Sequence, residues 1–222
     1  MKKGKIIVIE GACDGIGKTT QFNMLKERLE KNNEIVISHH FPSYNTYYGA
    51  PVEKLLQGEF GRPQDNSPYF VHMLYATDRA VAWRKKLRQE YNQGNIILLD
   101  RYTTSSMIYQ STMIDDLDKK KEFLDYVSDL EYGKLEIGRP DKVIFLTAPF
   151  DLVTKLKNER KSNEGYENDV FEREWELMRK IYDNSSFVAE YENWDIIDCA
   201  NENGMKSIEE IHEKIYQKVK TL

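Results

Sequence analysis

The stretch that decides the fold is Lys5-Ile6-Ile7-Val8-Ile9-Glu10-Gly11-Ala12-Cys13-Asp14-Gly15-Ile16-Gly17-Lys18-Thr19-Thr20. Its first part is a near-continuous apolar run, the pattern of a strand buried on both faces. Its second part is a glycine-rich turn closed by Gly-Lys-Thr-Thr. A helical pattern follows at once over Lys18 to Lys31, with Phe22, Leu25 and Leu29 on one face. Strand, glycine loop and helix in that order make a phosphate-binding loop. Glycines let backbone N–H groups turn inward around phosphate oxygens, and the helix N-terminus adds partial positive charge. Lys18 supplies a point charge toward the β- and γ-phosphates, and the Thr19 hydroxyl is the expected ligand for Mg²⁺. Gly11, Asp14, Gly15, Ile16, Gly17, Lys18, Thr19 and Thr20 are the candidate nucleotide-binding residues. Five residues separate Gly11 from Gly17, one more than the common pattern. Either the loop is one residue longer, or Ala12 takes the register of the first glycine. Cys13 is read as a small filler in this loop; thiolate activation by the helix N-terminus is the sharper alternative.

Working outward, short β-branched runs alternate with longer amphipathic stretches. Glu34 to Ser38, Asn95 to Asp100, Lys142 to Thr147 and Asp195 to Asp198 are the further candidate strands. Ser67-Pro68 reads as a cap followed by a first-turn proline, opening a helix to about Tyr91. Thr103 to Met113, Asp116 to Tyr132, Pro149 to about Glu159 and Val170 to Glu190 are further helices. Ile208, Ile211, Ile215 and Val219 stripe the last one. The stripes are core faces. The alternation predicts an α/β fold: a doubly wound, mostly parallel sheet of about five strands with helices on both sides. Ligands in such sheets sit at the carboxyl ends of strands, so the informative residues follow Glu10, Ser38, Asp100 and Thr147.

The 222 residues, 40% hydrophobic and 31% charged, suit one domain with a real core. A net charge of −5 argues against a general nucleic-acid binder, which needs a basic face. No apolar run approaches the ~20 residues of a membrane span. Met1-Lys2-Lys3-Gly4-Lys5 opens like a signal peptide, but Ile6 to Ile9 is too short for a signal core, so the N-terminus is expected to join the fold. Cys13 and Cys199 form neither metal spacing nor a disulfide framework, which fits a reducing cytoplasm.

No Asn-Lys-x-Asp guanine-reading motif is present, which counts against a GTP switch. At the end of the third strand stands Asp100-Arg101-Tyr102. An acidic residue there can hold Mg²⁺ directly or through water, and an adjacent Arg can grip a phosphate in transfer.

With these pieces together the chain resembles the thymidylate kinase family, which passes the ATP γ-phosphoryl to dTMP. The resemblance runs through Glu10-Gly11, Asp14-Gly15, Gly17 to Gln21, Phe41-Pro42, Tyr75-Ala76-Thr77-Asp78-Arg79, Asp100-Arg101-Tyr102, Ser105 to Gln110, and Arg160 to Asn168. It implies that Asp14 accepts a hydrogen bond from the deoxyribose 3′-hydroxyl. Phe41 joins the substrate residues. Tyr75 stacks on thymine, and Arg79, one turn later on the same face, donates to the base. Ser105 and Ser106 approach the base edge, and Tyr109 packs by the sugar and disfavours a 2′-hydroxyl. Arg101 bridges donor and acceptor phosphates, and Thr19 with Asp100 holds the metal. The basic cluster Lys155, Lys157, Arg160 and Lys161 begins a mobile lid at about 155–168. This phosphate loop has no Arg, so Arg160 is the candidate to close on the transferred group. Tyr166 and Glu167 are implied contacts near the substrate sugar. Lys18, Arg101, Arg160 and Asp14 are the candidate catalytic residues. A homodimer, ATP as co-substrate and Mg²⁺ are implied as well.

One departure stands out. Many family members carry an Arg soon after the position of Phe41-Pro42; here Ser43-Tyr44-Asn45-Thr46-Tyr47-Tyr48 follows and no Arg appears before Arg62. The nearest rival is a deoxynucleoside kinase acting on the 5′-hydroxyl of thymidine, with Glu10 as its base. A non-catalytic ATP-binding switch is the rival from another class.

Overall fold

The computed structural model describes residues 3–11, 15–155 and 175–222. Five strands form one parallel sheet: β1 (Lys5–Gly11), β2 (Val36–His40), β3 (Ile96–Asp100), β4 (Lys142–Thr147) and β5 (Asp195–Asp198), in the order β2-β3-β1-β4-β5. The expected α/β sheet is the observed one. Central β1 is buried from Ile6 onward. Side chains alternate across a strand, so Ile7 and Ile9 enter one apolar cluster while Ile6 and Val8 enter another. The first cluster takes Leu25 and Leu29 of α1 (Lys18–Lys31), Met107 and Ile108 of α5 (Thr103–Ser111), Phe123 and Val127 of α6 (Leu117–Ser128), and Ile211 and Ile215 of α9 (Ile208–Val219). The second takes Ala80 and Ala82 of α3 (Pro68–Ala82), with Trp83, Leu87 and Tyr102. Helices thus cover both faces, as two-sided burial of the strands requires.

The differences from the sequence reading have physical causes. β2 runs two residues further than expected: polar His39 and His40 read as loop, but pairing with β3 carries the strand on until His40 lies level with Asp100. The single helix expected from Pro68 to Tyr91 is α3, a π turn at Trp83–Leu87, and α4 (Arg88–Asn92). The Arg88 N–H bonds the Trp83 carbonyl, five residues back, in place of the α-helical four. A second π turn, Asp129–Lys134, follows α6 in the same way. One turn of altered pitch inside a long helical pattern leaves no trace in the spacing of apolar residues. Ser67 is the N-cap of α3, but its side chain makes no capping bond, and Pro68 alone carries the expected signal. Asp116, by contrast, caps α6 by accepting from the Lys119 N–H at 2.9 Å. Helix α2 (Ala50–Gln57) and the small hairpin β6 (Ala200–Asn201) with β7 (Gly204–Met205) were not anticipated. Helix α7 begins at 150 and is described to 155, and α8 (Trp175–Tyr191) takes up the chain again.

Candidate active site

The site lies where the carboxyl ends of β1, β2 and β3 come level. Ile9 and His40 are both in register with Asp100. Gly15 and Gly17 adopt left-handed φ of 96° and 93°. Gly17 then serves as N-cap of α1, where a side chain would be strained whatever the space. At Gly11 the limit is close approach: an added Cβ would lie 3.3 Å from Lys18 Cδ and 3.2 Å from Ile16 Cγ2. The Lys18 stem therefore packs across the strand end, leaving Lys18 buried at the helix N-terminus. Ile16 belongs to the core cluster, so only its backbone is available to a nucleotide. Thr19 and Thr20 are exposed on the first turn. Asp14 and Cys13 lie outside the described residues, as does the question of loop register at Ala12.

Asp100 ends β3. Its Oδ2 accepts from His40 Nδ1 at 3.0 Å, while its Oδ1 is buried without a hydrogen-bond partner. Burial pushes this carboxyl up. The His40 hydrogen bond and the charges of His40, Arg101 and Lys18 outweigh it and hold the group below the usual carboxylate range. An ionised carboxylate with one orphaned buried oxygen, a lysine and an exposed threonine nearby fits a hard divalent cation bound between protein and phosphate. Among the described residues no cluster of three or more His, Cys, Asp or Glu forms a cage for a metal on its own.

Arg101 sits at φ 62°, left-handed for a non-glycine residue, with its N–H on the Ile9 carbonyl at 3.3 Å. Its guanidinium lies 3.6 Å from Glu10 Oε1, donates to Tyr109 Oη at 3.3 Å, and stands 5.4 Å from the Tyr109 ring centre. Glu10 is fully buried. It accepts from the Gly11 N–H at 3.0 Å, from Thr104 Oγ1 at 2.9 Å and from Ser105 Oγ at 2.5 Å.

The residues that the resemblance implies for the acceptor are more deeply engaged than the sequence suggested. Arg79 is 1% exposed. Its Nε donates to Glu131 Oε2 at 2.7 Å, its Nη2 to Glu131 Oε1 at 2.6 Å and to Ser106 Oγ at 2.8 Å, and its Nη1 to the Tyr102 carbonyl at 3.3 Å. Burial would lower its pKa, but the Glu131 charge and hydrogen bonds carry it above the ordinary value, so it stays charged. Tyr75 lies on the same face, its ring 5.9 Å from the guanidinium carbon. Ser105 Oγ donates to Glu10 and Ser106 Oγ accepts from Arg79. Phe41 is buried between His39 and Tyr102, with ring centres at 4.5 and 5.6 Å. Asp78 accepts from the Ser43 N–H at 2.8 Å, and burial, the largest influence on it, raises its pKa. Arg62, the first arginine after Phe41, pairs with Asp65 on the surface. Arg160, Tyr166 and Glu167 lie outside the described residues.

Two residues of this constellation were absent from the sequence reading. His40 carried no signal beyond its position near a strand end. Glu131 did carry one: Phe123, Val127 and Glu131 are spaced by four, so an acid stands on the buried stripe of the helix.

A glycine loop entering a helix after the central strand, beside an aspartate–arginine pair on the neighbouring strand end, defines a P-loop phosphotransferase. The family model described as thymidylate kinase matches residues 9–215, and the chain belongs to that family. It is 28% identical to a thymidylate kinase of Plasmodium falciparum, over 98% of this chain and 90% of the relative. It is 30% identical to a probable thymidylate kinase of Saccharolobus solfataricus, over 89% of this chain and 90% of the relative. A solved thymidylate kinase from Candida albicans shares the fold with a TM-score of 0.72 at 22% identity, covering 99% of this chain and 92% of that one.

Proposed function

We infer that this chain transfers the γ-phosphoryl group of ATP to dTMP, giving ADP and dTDP. The observation that carries the reading is the family match over residues 9–215, on a sheet that brings the phosphate loop and Asp100-Arg101 to one edge. In the step, an oxygen of the dTMP phosphate attacks the γ-phosphorus as the bond to the β–γ bridging oxygen breaks. The acceptor oxygen is already anionic at neutral pH, so no general base is required. Catalysis rests on positioning and on neutralising charge.

Lys18 and the backbone of the phosphate loop hold the donor. Arg101, braced by Glu10 and Tyr109, spans donor and acceptor. Thr19 and Asp100 would hold Mg²⁺, which neutralises phosphate charge when bound; the orphaned Asp100 Oδ1 supports that assignment. Asp14 toward the sugar, Tyr75 and Arg79 toward the base, and Tyr109 beside the 2′ position complete the acceptor site. The same reading assigns Arg160 to the transferred group and Tyr166 and Glu167 to the sugar, positions that lie outside the described residues. The partner is a second copy: Tyr69, Phe70 and Met73 of α3, with Phe60 and Tyr126, make an exposed apolar surface suited to a homodimer. The chain works in the cytoplasm without nucleic acid; no helix among the described residues is long and apolar enough to cross a membrane.

The thymidine-kinase alternative needs Glu10 as base. Both oxygens of Glu10 already accept hydrogen bonds, Oε1 from the Gly11 N–H and Oε2 from Thr104 and Ser105, and the Arg101 charge lies 3.6 Å from Oε1, which counts against its serving as a base. The test is ADP release with dTMP, dUMP, dGMP, dCMP, UMP, AMP and thymidine offered singly. Turnover led by dTMP is expected. Turnover with thymidine alone would overturn the reading, and silence with ATP still bound would favour a switch.

A further inference from the structure

Arg79 has five N–H donors, and four of them are committed within the described residues: two to Glu131, one to Ser106 and one, at 3.3 Å, to the Tyr102 carbonyl. One Nη1 hydrogen remains. The planar fork of a guanidinium is fixed in the plane of whatever carboxylate takes it bidentately, so the orientation of that last donor is set from behind. The carboxylate doing so, Glu131, is itself fully buried and receives Thr103 Oγ1 at 3.0 Å. His72 Nε2 approaches it at 3.7 Å, too far for a hydrogen bond. The pair is bracketed by the two π turns of the chain's described residues. Glu131 lies inside Asp129–Lys134, and Trp83–Leu87 begins four residues after Arg79. Such turns are rare departures that recur at functional sites. Glu131 joins Arg79 across 52 residues, and among the described residues no other acid pairs with that guanidinium.

We propose that Glu131 is the positioning residue for acceptor recognition: it locks the Arg79 guanidinium in one plane, so that a single Nη1 donor faces the pyrimidine carbonyl of the acceptor nucleotide. The inference rests on the reading of Arg79 as a base-facing residue. It predicts that Glu131 governs acceptor affinity and base choice without touching substrate. It predicts no role for Glu131 in ATP binding or in the phosphoryl-transfer step.

The experiment is a double-mutant cycle between Glu131→Gln and Arg79→Ala, read by steady-state kinetics with ATP varied against dTMP and dTMP varied against ATP. Glu131→Gln replaces an acceptor by a donor facing the fork. It is expected to raise the KM for dTMP about tenfold, the worth of one charge-assisted hydrogen bond, with the KM for ATP and kcat within about twofold. Adding Glu131→Gln to Arg79→Ala is expected to change the dTMP KM no further. An additive effect overturns the proposal, as does an unchanged dTMP KM in Glu131→Gln while Arg79→Ala raises it. A uniform loss in kcat and both KM values, with a lowered melting temperature, assigns Glu131 a structural role and also overturns it. If Arg79→Ala leaves the dTMP KM unchanged, the base-facing reading itself fails and takes the inference with it. Should Glu131→Gln not fold, Thr103→Val removes one hydrogen bond onto Glu131 with every charge in place. A rise of about threefold in the dTMP KM alone is then expected, and no change overturns the proposal.

Discussion

Replacing His72 by leucine should flatten the acid limb of the stability curve. His72 is fully buried on α3, and neither ring nitrogen has a hydrogen-bond partner. Burial, and secondarily the Arg79 charge, lower its pKa from 6.5 to about 3. The nearby Glu131 would favour the imidazolium, but its charge is already matched by the bidentate Arg79. The imidazole is therefore neutral in the folded protein, and its approach to Glu131 is a contact rather than an ion pair. The unfolded chain takes up a proton below pH 6.5 that the folded chain refuses until about pH 3. Stability contributed by the neutral ring is thus complete above pH 6.5 and is lost as the pH falls. From pH 6.5 to pH 5.0 the loss is about 1.5 units at ~1.36 kcal/mol each, about 2 kcal/mol. The variant lacks that titration. Urea unfolding followed by tryptophan fluorescence at pH 7.5 and pH 5.0 should show His72→Leu losing about 2 kcal/mol less than the parent between the two values. His39, held at about 4 by burial and by Lys86 and His40, titrates in the same direction in both proteins and cancels. A constant offset from imperfect packing leaves the difference in slope readable. Parallel curves for parent and variant would refute the neutral, buried imidazole and the charge assignment of the whole cluster.

Lys18→Ala should lower kcat at least about a hundredfold, measured in the coupled ADP assay, while circular dichroism stays that of the parent. Gly49→Ala places a Cβ 2.1 Å from the Ser43 carbonyl oxygen. A loss of ~1–3 kcal/mol is expected from that overlap, seen as a lower melting temperature, and an unchanged melt would contradict the turn at 43–49. Burial pushes the Cys199 thiol up to about 11, so iodoacetamide at pH 8 should spare it in the native protein and label it in urea, as peptide mass spectrometry would report.

The parts of the molecule that were legible in the sequence are those whose physics is local. A two-sided strand must be apolar throughout, and Ile6 to Ile9 announces one. A loop that wraps phosphate needs glycines and a lysine in short range, and Gly15 to Lys18 supplies them. Helices α1, α8 and α9 declared themselves by their stripes. What was not legible depends on pairing at a distance. Nothing near Arg79 in sequence says that its donors are consumed by an acid 52 positions later. Nothing near His40 says that strand pairing delivers it to Asp100, 60 positions on. Serines 105 and 106 were named as substrate contacts through the family resemblance alone, and nothing near them in sequence says that each also meets a buried charge, Glu10 and Arg79.

Those serines also explain how the site is held. The first turn of α5 is Thr103-Thr104-Ser105-Ser106, four hydroxyls in a row where an apolar helix face would ordinarily begin. At 3.6 residues per turn, positions 103 and 106 share one side and 104 and 105 another. Thr103 and Ser106 reach the Glu131–Arg79 pair, and Thr104 and Ser105 reach Glu10, which faces Arg101. Each fully buried carboxylate thus holds one arginine, and one helical turn adds hydroxyl donors to both: Thr103 to Glu131, and Thr104 and Ser105 to Glu10. A buried carboxylate stripped of such partners costs several kcal/mol, so neither acid tolerates the loss of its hydroxyls lightly. The consequence is geometric coupling. Arg101, assigned to the phosphates, and Arg79, assigned to the base, are anchored to opposite sides of the same rigid turn. On the proposed assignments, the distance between the groups that hold the two ends of the acceptor is set by a helix, the arrangement that in-line transfer to a nucleotide of one length requires.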